Sequence, residues 1–215
     1  WCRGGCPPQD QRVYLPVFVY FFLAFADLSA VNECIQELVC MDVQAANTTA
    51  VVSCDAAEVT ARTAQVASVL SLVNALPTLV AVGVVTTIAD SRGRKVGLVV
   101  ASAGLALSSV AMLAVLLLRA NFGETVSVWW MIVPQLLSGV TGGYPVFIAS
   151  AFAYVADLSE RSARGARFAL LEFVLVCGNV AGPLVAGQLT RRVAHGFEWS
   201  FGAEVVLAVA LVAYC

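Results

Sequence analysis

Residues 63–118 decide the fold, and they read TAQVASVLSLVNALPTLVAVGVVTTIA, then DSRGRK, then VGLVVASAGLALSSVAMLAVLLL. The first and third segments contain no Asp, Glu, Lys or Arg. A helix rises about 1.5 Å per residue and the hydrocarbon core of a bilayer is about 30 Å thick, so each segment can cross a membrane. The six polar residues between them predict a tight turn at the membrane surface.

The composition of the whole chain agrees with a membrane protein. Its 215 residues are 60% hydrophobic and 12% charged, whereas soluble domains are about 45–50% apolar and about 25% charged. These values exclude a disordered chain, a nucleic-acid binder and an ordinary soluble enzyme. We found no nucleophile–base pair and no metal-ligand spacing, so the sequence predicts neither an enzyme nor a metal site.

Six apolar segments fill the chain. We predict spans at 13–31, 63–89, 96–118, 128–156, 168–190 and 199–215, with Glu204 at the start of the sixth span. Residues 32–62 are polar and are predicted to be an extracellular loop. The predicted fold class is therefore an all-α membrane protein with six transmembrane helices in a lipid bilayer.

The loop charges predict the orientation. Placing the N-terminus in the cytoplasm puts eight Lys and Arg residues inside and four outside, as the positive-inside rule requires. The loop at 32–62 then lies outside, where Asn47-Thr48-Thr49 is an acceptor for N-glycosylation. Cys34, Cys40 and Cys54 lie in the same oxidising space and are disulfide candidates, with their pairing left open.

Besides Glu204, two acidic residues interrupt the apolar spans, and charges at such positions usually serve an ion pathway or an ion pair. Glu172 and Asp27 are therefore candidates for proton coupling. Two simpler interpretations remain open. Glu172 could pair with Arg164 or Arg167 at a helix end, and Asp27 could face water near the outer end of its span.

Polar and small residues in the spans have two interpretations each. Asn74 and Asn179 could line a substrate cavity or join helices by hydrogen bonds. Gly178, Gly182 and Pro183 could let the fifth span bend, or could serve helix packing alone.

The turn at residues 90–95 carries charges of both signs and a glycine. Asp90 and Arg94 could pair with charges across a gap when the cytoplasmic side closes, although the turn could also be a simple positive-inside anchor. The loop between the fourth and fifth spans repeats this mixture of charges, from Asp157 to Arg161.

Three motifs resemble those of the major facilitator superfamily. The turn Asp90-x-x-Gly93-Arg94-Lys95 is similar to its signature loop, although Thr86 stands where the family has Gly. The segment 153–159 followed by Arg161 resembles the end of its fourth span, and the segment 178–183 resembles its fifth-helix Gly-Pro motif. The resemblance implies the N-terminal half of a twelve-helix transporter, with the C-terminal half as its partner.

A closer resemblance is to the solute-carrier family that includes the proton-coupled folate transporter and the thymic stromal cotransporter. It rests on the Cys-bearing first outer loop, on segment 154–157 and on Leu170-Leu171-Glu172. The resemblance implies that Glu172 couples protons and that a first-loop cysteine pairs with an outer loop of the absent half. It also implies a cytoplasmic gate formed by Asp90, Gly93, Arg94, Lys95, Asp157 and Arg161.

These features together predict a secondary transporter that works by alternating access. We expect proton-coupled symport of a small organic anion similar to folate, with the proton as coupling ion and no cofactor. The cavity would be lined by spans one, two, four and five, in the plasma membrane or an endolysosomal membrane. The alternatives are a proton-driven antiporter for drugs and a receptor or scaffold that keeps the fold without transporting.

Overall fold

The computed structural model describes residues 13–46, 54, 57–122, 127–192 and 196–214. They form only helices: α1 (Tyr14–Ala46), α2 (Ala57–Arg92), α3 (Lys95–Phe122), a 3-10 turn (Val128–Met131), α4 (Ile132–Val140), α5 (Gly143–Leu158), α6 (Arg164–Arg192) and α7 (Gly196–Tyr214). Six helical segments are long and apolar enough to cross a membrane, and the 3-10 turn, α4 and α5 together make one of them. The predicted all-α, six-span fold is confirmed. Asn47 lies outside the described residues.

The first two helices extend well into the region predicted as a loop. α1 continues to Ala46 and α2 begins at Ala57. With 33 residues, α1 is about 50 Å long and exceeds the hydrocarbon core by about 20 Å. Outside that core a helix needs only one apolar face, and buried positions recur four residues apart at 31, 35, 39 and 43. Searching for charge-free runs misses such a helix, because Glu33, Glu37 and Asp42 interrupt it.

The fourth span is interrupted between α4 and α5. Gly142 and Gly143 adopt φ angles of +80° and +46°. This left-handed region is open to glycine at little cost and is unfavourable for other residues. The two glycines therefore mark a break in the helix.

α1 packs closely against α6. A Cβ atom added to Gly182 would lie 2.3 Å from the carbonyl oxygen of Phe22, and one added to Gly178 would lie 2.8 Å from that of Phe18. Both glycines therefore allow the two backbones to approach each other. α6 runs without interruption through Pro183. These contacts agree with the helix-packing interpretation of the motif, and bending at Pro183 stays a prediction.

Two apolar clusters form the core. One surrounds Tyr20, whose ring stacks on that of Phe147 with centroids 3.7 Å apart. The second surrounds the outer part of α1 and includes Met112 and Phe201. By contrast, α2 and α6 leave large apolar side chains exposed, among them Leu79 and Phe173. Within the described residues, these two faces are free to meet lipid or further protein.

Candidate functional site

Asp27 lies near the middle of α1, within the membrane-spanning segment. α1 continues to Ala46 but exceeds the hydrocarbon core by about 20 Å, so the interpretation that placed Asp27 near the outer end of its span stays open. The side chain of Asp27 is half-buried inside the bundle.

The side chain of Asp27 contacts Glu204 within hydrogen-bonding reach. Glu204 lies near the middle of α7, and only 4% of it is exposed. Neither of its carboxyl oxygens meets an N–H or O–H donor from the described residues. Glu204 was not predicted as a coupling residue, because it was assigned to the start of its span. Its position within an apolar segment, several residues from any loop, is the signal that could have identified it.

Two ionised carboxyl groups cannot hydrogen-bond to each other, because both are acceptors only. Contact between Asp27 and Glu204 therefore requires a proton on one of them, since two like charges at this distance repel. No ion pair links either carboxyl to a Lys or Arg among the described residues. The arrangement can therefore bind a proton and release it.

A small cavity adjoins Asp27. Its volume is about 20 Å³, and a single water molecule needs about 10–15 Å³. The polar residues that line it are Asp27 on α1, Ser108 on α3, and Gln135 and Ser138 on α4. The cavity thus has the room and the hydrogen-bonding partners for one water beside the carboxyl pair.

Asn74 joins α2 to α4. Its Nδ2 donates to the carbonyl oxygen of Gln135 at 3.1 Å, and the hydroxyl of Thr78 lies 3.4 Å from the carbonyl oxygen of Gly139. The interpretation in which Asn74 joins helices therefore describes its observed contacts. Asn179 is half-buried on α6. A role for either amide in binding substrate stays a prediction.

Glu172 is separate from the carboxyl pair. It lies exposed on α6, next to the buried Leu171. Its proposed partners have other acceptors: Arg164 donates to the carbonyl of Ala156 at 3.0 Å, and Arg167 donates to that of Leu158 at 3.2 Å. The two candidates predicted for proton coupling are thus not brought together.

Three of the predicted gate residues, Asp90, Arg94 and Asp157, come together at one end of the bundle. Arg94 binds Asp157 at 3.0 Å between Nε and Oδ2, and it also pairs with Asp90. The turn between α2 and α3 is thereby joined to the end of α5. Gly93 makes this turn with a φ of +113°, a conformation that favours glycine. Lys95 begins α3, and Arg161 is exposed in the turn before α6.

The opposite end holds a disulfide. Cys40 at the end of α1 is bonded to Cys54, and Cys34 is a buried free thiol. The pairing of a first-loop cysteine with an outer loop of the absent half, which the resemblance implied, stays a prediction, with Cys34 as the remaining candidate. The local bond forms because the helical extension of α1 brings Cys40 close to the start of α2.

These features define the class of the protein. Six spanning helices pack around ionisable side chains, and a charged contact joins two turns at one end, so the chain is a multi-pass membrane protein of transporter architecture. Residues 34–215 match the model of the Major Facilitator Superfamily, and the chain belongs to this family. The predicted superfamily and multi-pass membrane location are confirmed, and membership agrees with a transporter rather than an enzyme.

The chain is similar to two kinds of curated relative. It is 29% identical over 125 residues to the proton-coupled folate transporter of Rattus norvegicus, covering 58% of this chain and 26% of the relative. It is 30% identical over 139 residues to the lysosomal proton-coupled steroid conjugate and bile acid symporter of Homo sapiens, covering 63% and 27%. The aligned part therefore spans about a quarter of the length of these relatives.

Proposed function

We propose that the protein is a secondary transporter that couples the movement of a small organic solute to protons by alternating access. The observation that carries the proposal is the pair of acidic side chains, Asp27 and Glu204, near the middle of two spanning helices. Ionisable groups are costly within a membrane and usually belong to a pathway. Both kinds of relative are named as proton-coupled, which supports the same coupling ion here.

The proposed cargo is an organic anion. The relatives are named for folate and for steroid conjugates and bile acids. An anion that enters with a proton carries less net charge against an inside-negative membrane potential, where each elementary charge costs about 2.3 kcal/mol per 100 mV. Symport with protons therefore suits this class of solute, in the plasma membrane or an acidic endolysosomal compartment.

The proposed partner is a C-terminal half of the same protein. The exposed apolar faces of α2 and α6 supply the surface that it would cover, and spans one, two, four and five would line the cavity between the halves. Glu172 lies on the exposed side of α6, so in this arrangement it has access to the interface. We propose a coupling role for it there, and a glycan at Asn47.

Uptake by the full-length protein tests the proposal. Cells should take up radiolabelled folate or a steroid conjugate faster at acidic than at neutral outside pH, and a protonophore should abolish the difference. Glu172→Gln should lose this stimulation, whereas Glu160→Gln should keep it because Glu160 is exposed in the preceding turn. Unchanged stimulation in Glu172→Gln would refute its role. Surface-expressed protein that moves neither solute would favour a receptor or scaffold.

An antiporter is the second candidate. The Gly-Pro motif in α6, with Gly178 and Gly182 against α1, resembles a motif of exporters and favours this function. Purified full-length protein in proteoliposomes separates the two candidates. A symporter accumulates solute on the side to which protons flow, whereas an antiporter accumulates it on the opposite side.

A further inference from the structure

We propose that Asp27 and Glu204 act as one proton-binding site, in which a single proton is shared between two carboxyl groups and is exchanged through the adjoining water-sized cavity. This proposal rests on the proposed function and specifies where a coupling proton is held. It differs from the coupling role of Glu172, which lies exposed on another helix.

The first step is the contact itself. Glu204 is almost fully buried, its two oxygens have no donor from the described residues, and the group within its reach is Asp27. A hydrogen bond between these side chains exists only when one carboxyl is protonated. Adding one proton therefore binds α1 to α7, and removing it leaves two carboxylates that repel each other across the same gap.

The second step is the absence of a compensating cation in the described surroundings. Tyr20 is a further titratable group on α1, seven positions before Asp27, and its ring is stacked on Phe147. The charged groups on the other packed helices lie elsewhere: Asp90 and Asp157 bind Arg94, Arg119 pairs with Asp42, Glu172 is exposed, and Glu198 is in the first turn of α7. A proton is therefore the cation available to the pair.

The third step concerns the route by which a proton reaches the carboxyl pair. The cavity beside Asp27 has room for one water, and Ser108, Gln135 and Ser138 offer it hydroxyl and amide partners. Gln135 also accepts the hydrogen bond from Asn74, so the cavity wall on α4 is joined to α2. Movement of α2 against α1 would open or close this wall. Proton access would then change together with the position of the helices.

The experiment measures uptake of radiolabelled folate, or of a steroid conjugate if that is the solute carried, by full-length variants at acidic and neutral outside pH. Asp27→Asn and Glu204→Gln should each lose acid stimulation while keeping downhill exchange. The double variant should match the single variants within about twofold, because all three remove one site. Glu198→Gln is the matched control on α7 and should keep the stimulation.

Exchanging the two acidic residues tests whether the single variants lose acid stimulation because they misfold. Asp27→Glu combined with Glu204→Asp keeps two carboxyl groups and the same total side-chain length, so it should restore acid stimulation. Ser138→Val should slow uptake, because it fills the cavity and removes a polar group from its lining. If the double variant loses the product of the two single losses, or if the reciprocal exchange reaches the membrane without acid stimulation, the shared site is wrong.

The outcomes separate the two proposals. If the wild-type protein shows no acid stimulation, the proposed function fails. If the wild type is stimulated and both single substitutions leave the stimulation intact, the shared proton site fails and the function stands.

Discussion

Gly182 shows how one missing side chain positions two helices. Its Cα faces the backbone of α1, so that an added Cβ atom would lie 2.3 Å from the Phe22 carbonyl oxygen and 2.9 Å from the Ala26 nitrogen. Backbone atoms cannot move aside as a flexible side chain can. Any larger residue must therefore push α6 away from α1.

We expect Gly182→Ala to destabilise the protein by about 1–3 kcal/mol, the usual cost of overpacking a tight contact. Gly187→Ala is the matched control, because an added Cβ atom there meets nothing within 4 Å. Thermal unfolding of both variants in detergent, followed by size-exclusion chromatography, measures the difference. Equal melting temperatures for the two variants would contradict the close contact.

The acidic residues show the limit of sequence reasoning at this scale. A charge in an apolar run identifies Asp27 and Glu172 as candidates, since burial of charge is costly. The same rule also identifies Glu204 as a candidate, because this residue lies within the apolar run 199–215. No sequence rule pairs residues from the first and last helices, because 177 positions separate Asp27 from Glu204 and only packing brings them together.

At the scale of elements, α1 is the helix that sequence reasoning defined least well. The apolar run at 13–31 identified its membrane part but not its continuation to Ala46. The amphipathic spacing of buried residues from 31 to 43 predicts this continuation, because a helix beyond the bilayer needs only one apolar face.

The disulfide between Cys40 and Cys54 closes the connection from α1 to α2, with a sequence separation of 14 between the two cysteines. We expect Cys40→Ser or Cys54→Ser to lower the free energy of unfolding by about 2–4 kcal/mol, because the crosslink restricts the unfolded chain. Peptide mapping by mass spectrometry without reductant should find the two cysteines in one crosslinked product. Recovery of both as separate alkylated peptides would exclude the bond.

At the scale of the whole molecule, the contact of Arg94 with Asp157 links the turn between α2 and α3 to the end of α5. In the proposed transport cycle, an ion pair in this position stabilises the arrangement that joins these two connections. Because both side chains are substantially exposed, the pair contributes about 0.2–1 kcal/mol. A contribution of that size still shifts a conformational equilibrium between two states severalfold.

We therefore expect Arg94→Ala to reduce uptake by the full-length protein about two- to fivefold at equal surface expression, the change that about 0.5–1 kcal/mol produces. The exchange of charges in Arg94→Asp with Asp157→Arg should recover part of the loss. Arg92→Ala is the control from the same turn, where the side chain is exposed. Equal uptake by Arg92→Ala and Arg94→Ala would show that the pair does not bias the transport cycle.

The sequence by itself determined the membrane class, the six spans and the family. Long runs without charge can form only spanning helices, and the motif at residues 90–95 has a fixed position between two of them. These properties depend on residues that are close together in the chain, so the amino-acid sequence alone is enough to predict them.

Only the tertiary structure decided which residues share a site. It placed Arg94 on Asp157 and Asn74 on the carbonyl of Gln135, and it joined Asp27 to Glu204 while leaving Glu172 exposed. Such pairings depend on how each helix is rotated about its axis. That rotation is set by packing, above all by the close approach of α1 and α6 at Gly178 and Gly182.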